Sequence, residues 1–261
     1  MVTKSIVAKP IIREHDGVLV VRDDLIAGGT KSRFILPYFA RLNSMGPPLK
    51  DEIVYASPAY GGAQLSLAYC AAAVGKKATI FVAARKQMHP RTKEASLVGA
   101  NIVEIRPGYL TKIQKEARDY ARSTSFGRAA MLMKFGGGTD AINILAEAAA
   151  EVAKEVGYLD EVWCAAGSGV LLRALQEGLP AARHIGVQVG HQLSWEERVK
   201  AIIHKAELPF EKEYKGVVPF PSCRNYDAKA WAVCKRLGKG KRLFWNVLGP
   251  SPTPFVMGNW G

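Results

Sequence analysis

An alternation constrains this chain more than any other feature. Short β-branched runs are each followed by a stretch with helical spacing, from one end of the sequence to the other. Residues 53–55 are strand-like and lead into an alanine-rich helix over about 64–74. Residues 78–83 form the next strand, and a helix over about 91–98 ends at Gly99. Strand 102–105 precedes a strongly amphipathic helix over 110–122, and strand 130–133 precedes a long helix to about 156, with Thr139 as its N-cap. Runs at 161–164, 184–189 and 243–247 complete the strand set. Strands spaced by helices build mostly parallel sheets covered on both faces, and ligands bind such sheets at the carboxyl ends of the strands. The expected fold class is therefore α/β and two-lobed.

Size and composition narrow the class further. A chain of 261 residues with 48% hydrophobic content can bury a substantial core in one large domain or two small lobes. No apolar run reaches the roughly 18–20 residues of a membrane span, and the N-terminal residues have no signal-peptide pattern. Four cysteines without CxxC spacing, and five histidines without metal-ligand or Ser/His/Asp spacing, predict no metal site and a reduced, cytoplasmic protein. Trp195 and Trp231 are expected in the core or between lobes. The net charge of +13 suggests a polyanionic partner, DNA or nucleotide, although no nucleic-acid-binding motif accompanies it.

The run from Arg22 to Arg33 is the main functional clue. Lys31 follows Gly28-Gly29-Thr30 where an extended apolar stretch gives way to a helical one. A lysine held close to backbone amides can lose its proton and attack a carbonyl, whereas on a wet loop it would be one of 36 cationic residues. Two further glycine turns follow strands. One is Gly136-Gly137-Gly138; the other is Gly167-Ser168-Gly169, which opens a helix at Val170 and Leu171. The second suits a phosphate, because glycines let N–H groups approach and the helix N-terminus adds positive potential. It lacks the Gly-Lys-Ser/Thr of a P-loop and the spacing of a dinucleotide fold.

Taken in order, these segments resemble the tryptophan-synthase-β-like (fold type II) pyridoxal phosphate enzymes, nearest to the aminocyclopropane-carboxylate deaminase and D-cysteine desulfhydrase branch. The resemblance is carried by Arg22-Asp23-Asp24-Leu25 with Gly28-Gly29-Thr30-Lys31-Ser32-Arg33, by the segments beginning at Leu67 and Arg91, by Gly167 to Leu171, and by Tyr226-Asp227 through Pro250. It implies a homodimer with pyridoxal 5'-phosphate as cofactor and Lys31 as the catalytic Schiff-base lysine. It also implies that Gly167, Ser168, Gly169, Val170 and Leu171 hold the phosphate. The expected division is a large cofactor lobe, 1–50 and 126–261, with a smaller substrate-loop lobe, 51–125, inserted in it. Trp245 is expected beside the cofactor ring.

Two departures from the family pattern shape the functional expectation. The substrate loop reads Ser57-Pro58-Ala59-Tyr60-Gly61-Gly62-Ala63-Gln64, which leaves Tyr60, Gly61, Gly62 and Gln64 as substrate contacts but no evident carboxylate clamp. Near the pyridine nitrogen, Val247-Leu248 replace the usual Thr-Gly pair, so Asn246 and Ser251 become the candidates there. Together with the charge, the missing clamp points to a lyase acting on an amino-acid moiety carried on a polyanion. A modified DNA pyrimidine in a compact phage enzyme, in the host cytoplasm, is the concrete case. The alternatives are a deaminase or desulfhydrase of a free small amino acid, and a catalytically silent nucleic-acid-binding fold member.

Overall fold

A computed structural model describes residues 9–45, 50–106, 108–123, 130–133, 138–190, 192–198 and 200–251. Gly136, Gly137, Arg128, Lys134 and His191 lie outside the described residues.

The chain begins with a hairpin of β1 (Ile12–His15) and β2 (Val18–Arg22), turning at Asp16-Gly17, both with positive φ. Two 3-10 turns, Asp23–Leu25 and Gly29–Lys31, lead into helix α1 (Ser32–Met45). A strand–helix series follows: β3 (Glu52–Ala56), α2 (Ala63–Ala73), β4 (Lys77–Ala83), α3 (Pro90–Leu97), β5 (Asn101–Ile105), α4 (Leu110–Ser123) and β6 (Ala130–Leu132). Then come α5 (Gly138–Val156), β7 (Glu161–Ala166), α6 (Val170–Gly178), β8 (Arg183–Gln188), α7 (Trp195–Arg198), β9 (Ile202–Lys205), α8 (Asp227–Leu237) and β10 (Arg242–Asn246).

These strands form two sheets. The larger runs β1-β2-β10-β7-β8-β9 and is parallel except for the first hairpin; the smaller, β5-β4-β3-β6, is wholly parallel. Both β3 and β7 are buried at every position, as expected of parallel strands covered on two faces. The α/β, two-lobed, mostly parallel expectation therefore holds.

Several particulars differ from the sequence reading. Strand β6 pairs with β3, so the small sheet draws in chain beyond residue 125. Helix α1, placed before residue 50 in the large lobe, packs through Phe34, Ile35 and Phe39 into one cluster with Ile53, Leu67 and Ile80 of the small sheet and its helix. Edge strands β1 and β9 were not expected. Trp231 is buried against Phe220 and Phe244, but Trp195 is 79% exposed on a four-residue helix, outside any core.

Candidate active site

Two buried ion pairs fix the segment that carries Lys31. Asp23, fully buried, receives both Nε and a terminal nitrogen of Arg33 (2.6–2.9 Å), the Thr30 hydroxyl (2.7 Å) and Trp245 Nε1 (2.9 Å). Asp24 receives a bidentate pair from Arg22, 2.8 Å each, and Asn246 Nδ2 at 2.7 Å. Acceptors engaged this fully offset the cost of burying the charges, which an unpaired carboxylate could not do. The Thr30 amide also donates to Val247 O at 2.9 Å, tying the loop to the end of β10. At Gly29, φ is +73° and an added Cβ would lie 2.3 Å from Val247 O. Only glycine allows that approach.

Lys31 therefore lines a narrow cavity of ≈ 40 Å³. The cavity is lined by Thr30, Lys31, Phe34 and Leu145 on one side and by the loop from Ala165 to Leu172 on the other, with Tyr226 and Val247. The predicted phosphate loop, Gly167, Ser168, Gly169, Val170 and Leu171, is thus brought to the predicted lysine. Gly169 adopts φ +73° as N-cap of α6, and a Cβ on Gly167 would meet Tyr226 Oη at 2.9 Å. These glycines keep the loop low and leave the first amides of α6 directed at the cavity, as an anion site requires.

Electrostatics single out one residue that sequence reasoning passed over. Asp227, the first residue of α8, is fully buried, and neither carboxylate oxygen has a hydrogen-bond partner among the described residues. Burial pushes its pKa up to about 8. The nearby amides of Val247 and Leu248, outside hydrogen-bonding geometry, pull against that shift; Asp24 adds to it and Lys31 opposes it. Lys31 is affected in the opposite sense: desolvation lowers its pKa, with Asp227 resisting. Pairs of groups pushed this way mark reactive sites more often than scaffolds. In the sequence Asp227 stands out only as part of the segment that carries the family resemblance, and no role at the site was expected of it.

The pairing has a measurable consequence. A carboxyl whose pKa is raised on folding disfavours the native state as pH climbs from the unfolded value, 3.8, towards about 8. Asp227→Asn is expected to gain stability over the wild type at about pH 8.5 and to lose that advantage near pH 4. Thermal melts across that range check the sign, and a difference that does not vary with pH would refute it.

The other expected site residues fall in different places. Asn246 lies beside the network, donating to Asp24 and to Pro221 O, with its own Oδ1 unpartnered. Ser251 donates to Glu94 at 2.7 Å, and Trp245 serves Asp23 and Thr30. None of the three lines the cavity. Gln64 is buried and spends its amide on Ala59 O and Gly61 O, which shapes the substrate loop from within. Gly61 turns back onto Pro58 O, and Gly62 lies where a Cβ would strike Leu248, so these two glycines bring the small-lobe loop against the end of β10. Tyr60 faces Arg85, His89 and Phe210. No group of three or more potential metal ligands occurs among the described residues.

The family model described as pyridoxal-phosphate dependent enzyme matches residues 6–233. The chain belongs to that family. Solved structures of similar fold include an ACC deaminase homologue, with TM-score 0.77, 17% identity and coverage of 94% of this chain and 90% of that one. A hydrogen sulfide-producing enzyme from Fusobacterium nucleatum gives 0.70 and 13%, covering 98% and 100%. The threonine deaminase of T.th. gives 0.64 and 17%, covering 92% and 88%. At these identities the structures establish a shared fold. No curated protein matches the sequence.

The residues present fit the cofactor. A part-buried lysine of lowered pKa and a glycine cradle at a helix N-terminus line one cavity, and an orphaned buried carboxylate, Asp227, lies close enough to Lys31 to act on its charge. Lys31 would hold the aldehyde carbon and the Gly167 to Leu171 loop the phosphate, and Asp227, with Asn246 beside it in the same network, would be the acid available to the ring nitrogen. No described helix is long and apolar enough to cross a membrane.

Proposed function

We propose that this enzyme is a lyase that breaks a bond at the α-carbon of an amino-acid moiety carried on a polyanion. A modified DNA pyrimidine, trimmed by decarboxylation or a related step in phage DNA hypermodification by a cytoplasmic homodimer, is the specific reading. The observation that carries it is the cavity's charge. Among the described lining residues Lys31 is the only cation, and it is committed to the cofactor, so no side chain there pairs a free amino acid's carboxylate. The +13 net charge lies elsewhere on the molecule, where a polyanion can meet it.

When bound, pyridoxal phosphate supplies a conjugated electron sink for the pair left at the α-carbon. The chain's own residues do the rest. The α6 N-terminus anchors the phosphate, and the unpaired Asp227 carboxyl can share a proton with the ring nitrogen. Lys31 Nζ, in the same cavity, would hold the proton that the reaction moves. In a decarboxylation the Cα–carboxylate bond breaks, carbon dioxide leaves, and Lys31 Nζ returns a proton to the α-carbon. The apolar wall of Phe34, Leu145 and Val247 limits water at the reacting carbon.

Deamination or desulfhydration of a free small amino acid is the second reading, supported by the fold shared with an ACC deaminase homologue and a hydrogen sulfide-producing enzyme. The test offers the holoenzyme DNA bearing amino-acid-modified pyrimidines, D-cysteine and a cyclopropane amino acid in parallel. Release of carbon dioxide with a matching mass loss on the nucleoside supports the first reading. Ammonia and keto acid from the free amino acids, with no DNA affinity at moderate salt, overturns it.

A further inference from the structure

Four rings run from the catalytic cavity to the surface. Tyr226 lines the cavity; Phe210 stands 6.4 Å from it at 83°, and Tyr60 stands 5.9 Å from Phe210 at 70°. His89 follows, 4.6 Å from Tyr60 at 61°, and the Arg85 guanidinium carbon lies over the Tyr60 ring at 4.9 Å. The chain places them deliberately. Tyr60, Arg85 and His89 come from the loops after β3 and β4, at the carboxyl ends of the small sheet, while Phe210 and Tyr226 come from the long connection between β9 and α8. His89 is N-cap of α3, its Nδ1 accepting from the Arg91 amide, which fixes it as a neutral ring.

Packing alone accounts for aromatic rings in a core, but Tyr60, His89 and Phe210 are only partly buried and Arg85 and Lys86 are exposed. Neither Arg85 nor Lys86 has a carboxylate at ion-pair distance among the described residues, whereas Lys215 occupies Glu213, the acid facing His89. A ring that presents its edge to a neighbour keeps its own face for a planar guest, as every nucleobase offers; the Arg85 guanidinium covers one face of Tyr60 and leaves the other.

We propose that Tyr226, Phe210 and Tyr60 form a stacking subsite for a nucleobase beside the cavity, with Arg85 and Lys86 holding the adjoining phosphate. The subsite rests on the reading that the reacting group is carried on nucleic acid, and it explains how a base-borne amino acid reaches Lys31 without a carboxylate clamp. The base lies against the rings, its backbone stays at the basic rim, and the appended group projects past Tyr226.

The test titrates the holoenzyme with a short oligothymidylate and with its abasic counterpart of equal length, at moderate salt, following binding by anisotropy. The wild type is expected to prefer the base-bearing strand by about tenfold, the scale of one stacked base. Phe210→Leu and Tyr60→Leu each remove the preference while abasic binding persists, and Arg85→Gln weakens both strands alike. Equal binding of the two strands by the wild type, or a preference that survives both ring variants, overturns the subsite. The cofactor's absorbance, read on the same samples, separates the claims: a normal band with no base preference removes the subsite and leaves the lyase chemistry standing.

Discussion

Lys31→Ala abolishes the near-visible absorbance band that the wild type develops with pyridoxal phosphate, and turnover falls by roughly a thousandfold or more. The expectation follows from the environment of the amine. Burial lowers the pKa of Lys31, which leaves more of the nucleophilic free base than an exposed lysine has at neutral pH. Borohydride treatment should fix the cofactor to the wild type through denaturation, with the added mass on the peptide holding Lys31. The variant should keep its melting temperature within a few °C, because Lys31 makes no hydrogen bond that supports the fold among the described residues. A variant that still forms a borohydride-stable band would place the attachment on another lysine and dissolve the site as drawn.

Asp23→Ala is expected to act on stability instead. It removes the carboxylate that the Arg33 guanidinium, 1% exposed, the Thr30 hydroxyl and Trp245 Nε1 share. Breaking a buried pair on one side costs about 3–5 kcal/mol. For a chain of this size that corresponds to a drop of roughly 10 °C in Tm. Cofactor uptake should fall in parallel, since the same carboxylate holds Thr30 beside Lys31. The contrast between the variants is the informative part: one loses the chemistry with the fold intact, the other loses the loop that presents it. A loss below about 1 kcal/mol in Asp23→Ala would show that backbone bonds such as Thr30 N to Val247 O suffice to hold the loop.

How much of this was legible in the sequence depended on burial. Strands such as β3 and β7, covered on both faces, read as continuous apolar runs and were found. The edge strands β1 and β9, with Arg13, Glu14 and Lys205 turned outward, have no such run and were missed. That Lys31 and the Gly167 to Leu171 loop would come together in one cavity was readable because glycine positions follow from backbone geometry, and geometry is local. Asp227 was not, because its character comes from the end of β10 and the Lys31 loop closing over it, not from its neighbours in sequence. Asn246, Ser251 and Trp245 were expected at the cofactor; in the structure their donors go to Asp24, Glu94 and Asp23, while Asn246 Oδ1 stays without a partner among the described residues. Likewise β6, a three-residue strand, was too short to announce that it would pair with β3.

The position of β10 between β2 and β7 bears on how the protein is made. Trp245 reaches Asp23 across 222 residues of sequence, and the Lys31 loop leans on Val247. A nascent chain therefore carries its reactive lysine on an unfinished sheet until β10 has left the ribosome. Until then β2 and β7 have no strand between them, with apolar Val20, Val21 and Val162 uncovered. Burial is what lowers the Lys31 pKa, and part of the wall around it, Val247, arrives only with the end of β10, so the surroundings of the amine are among the last parts of the fold to be completed.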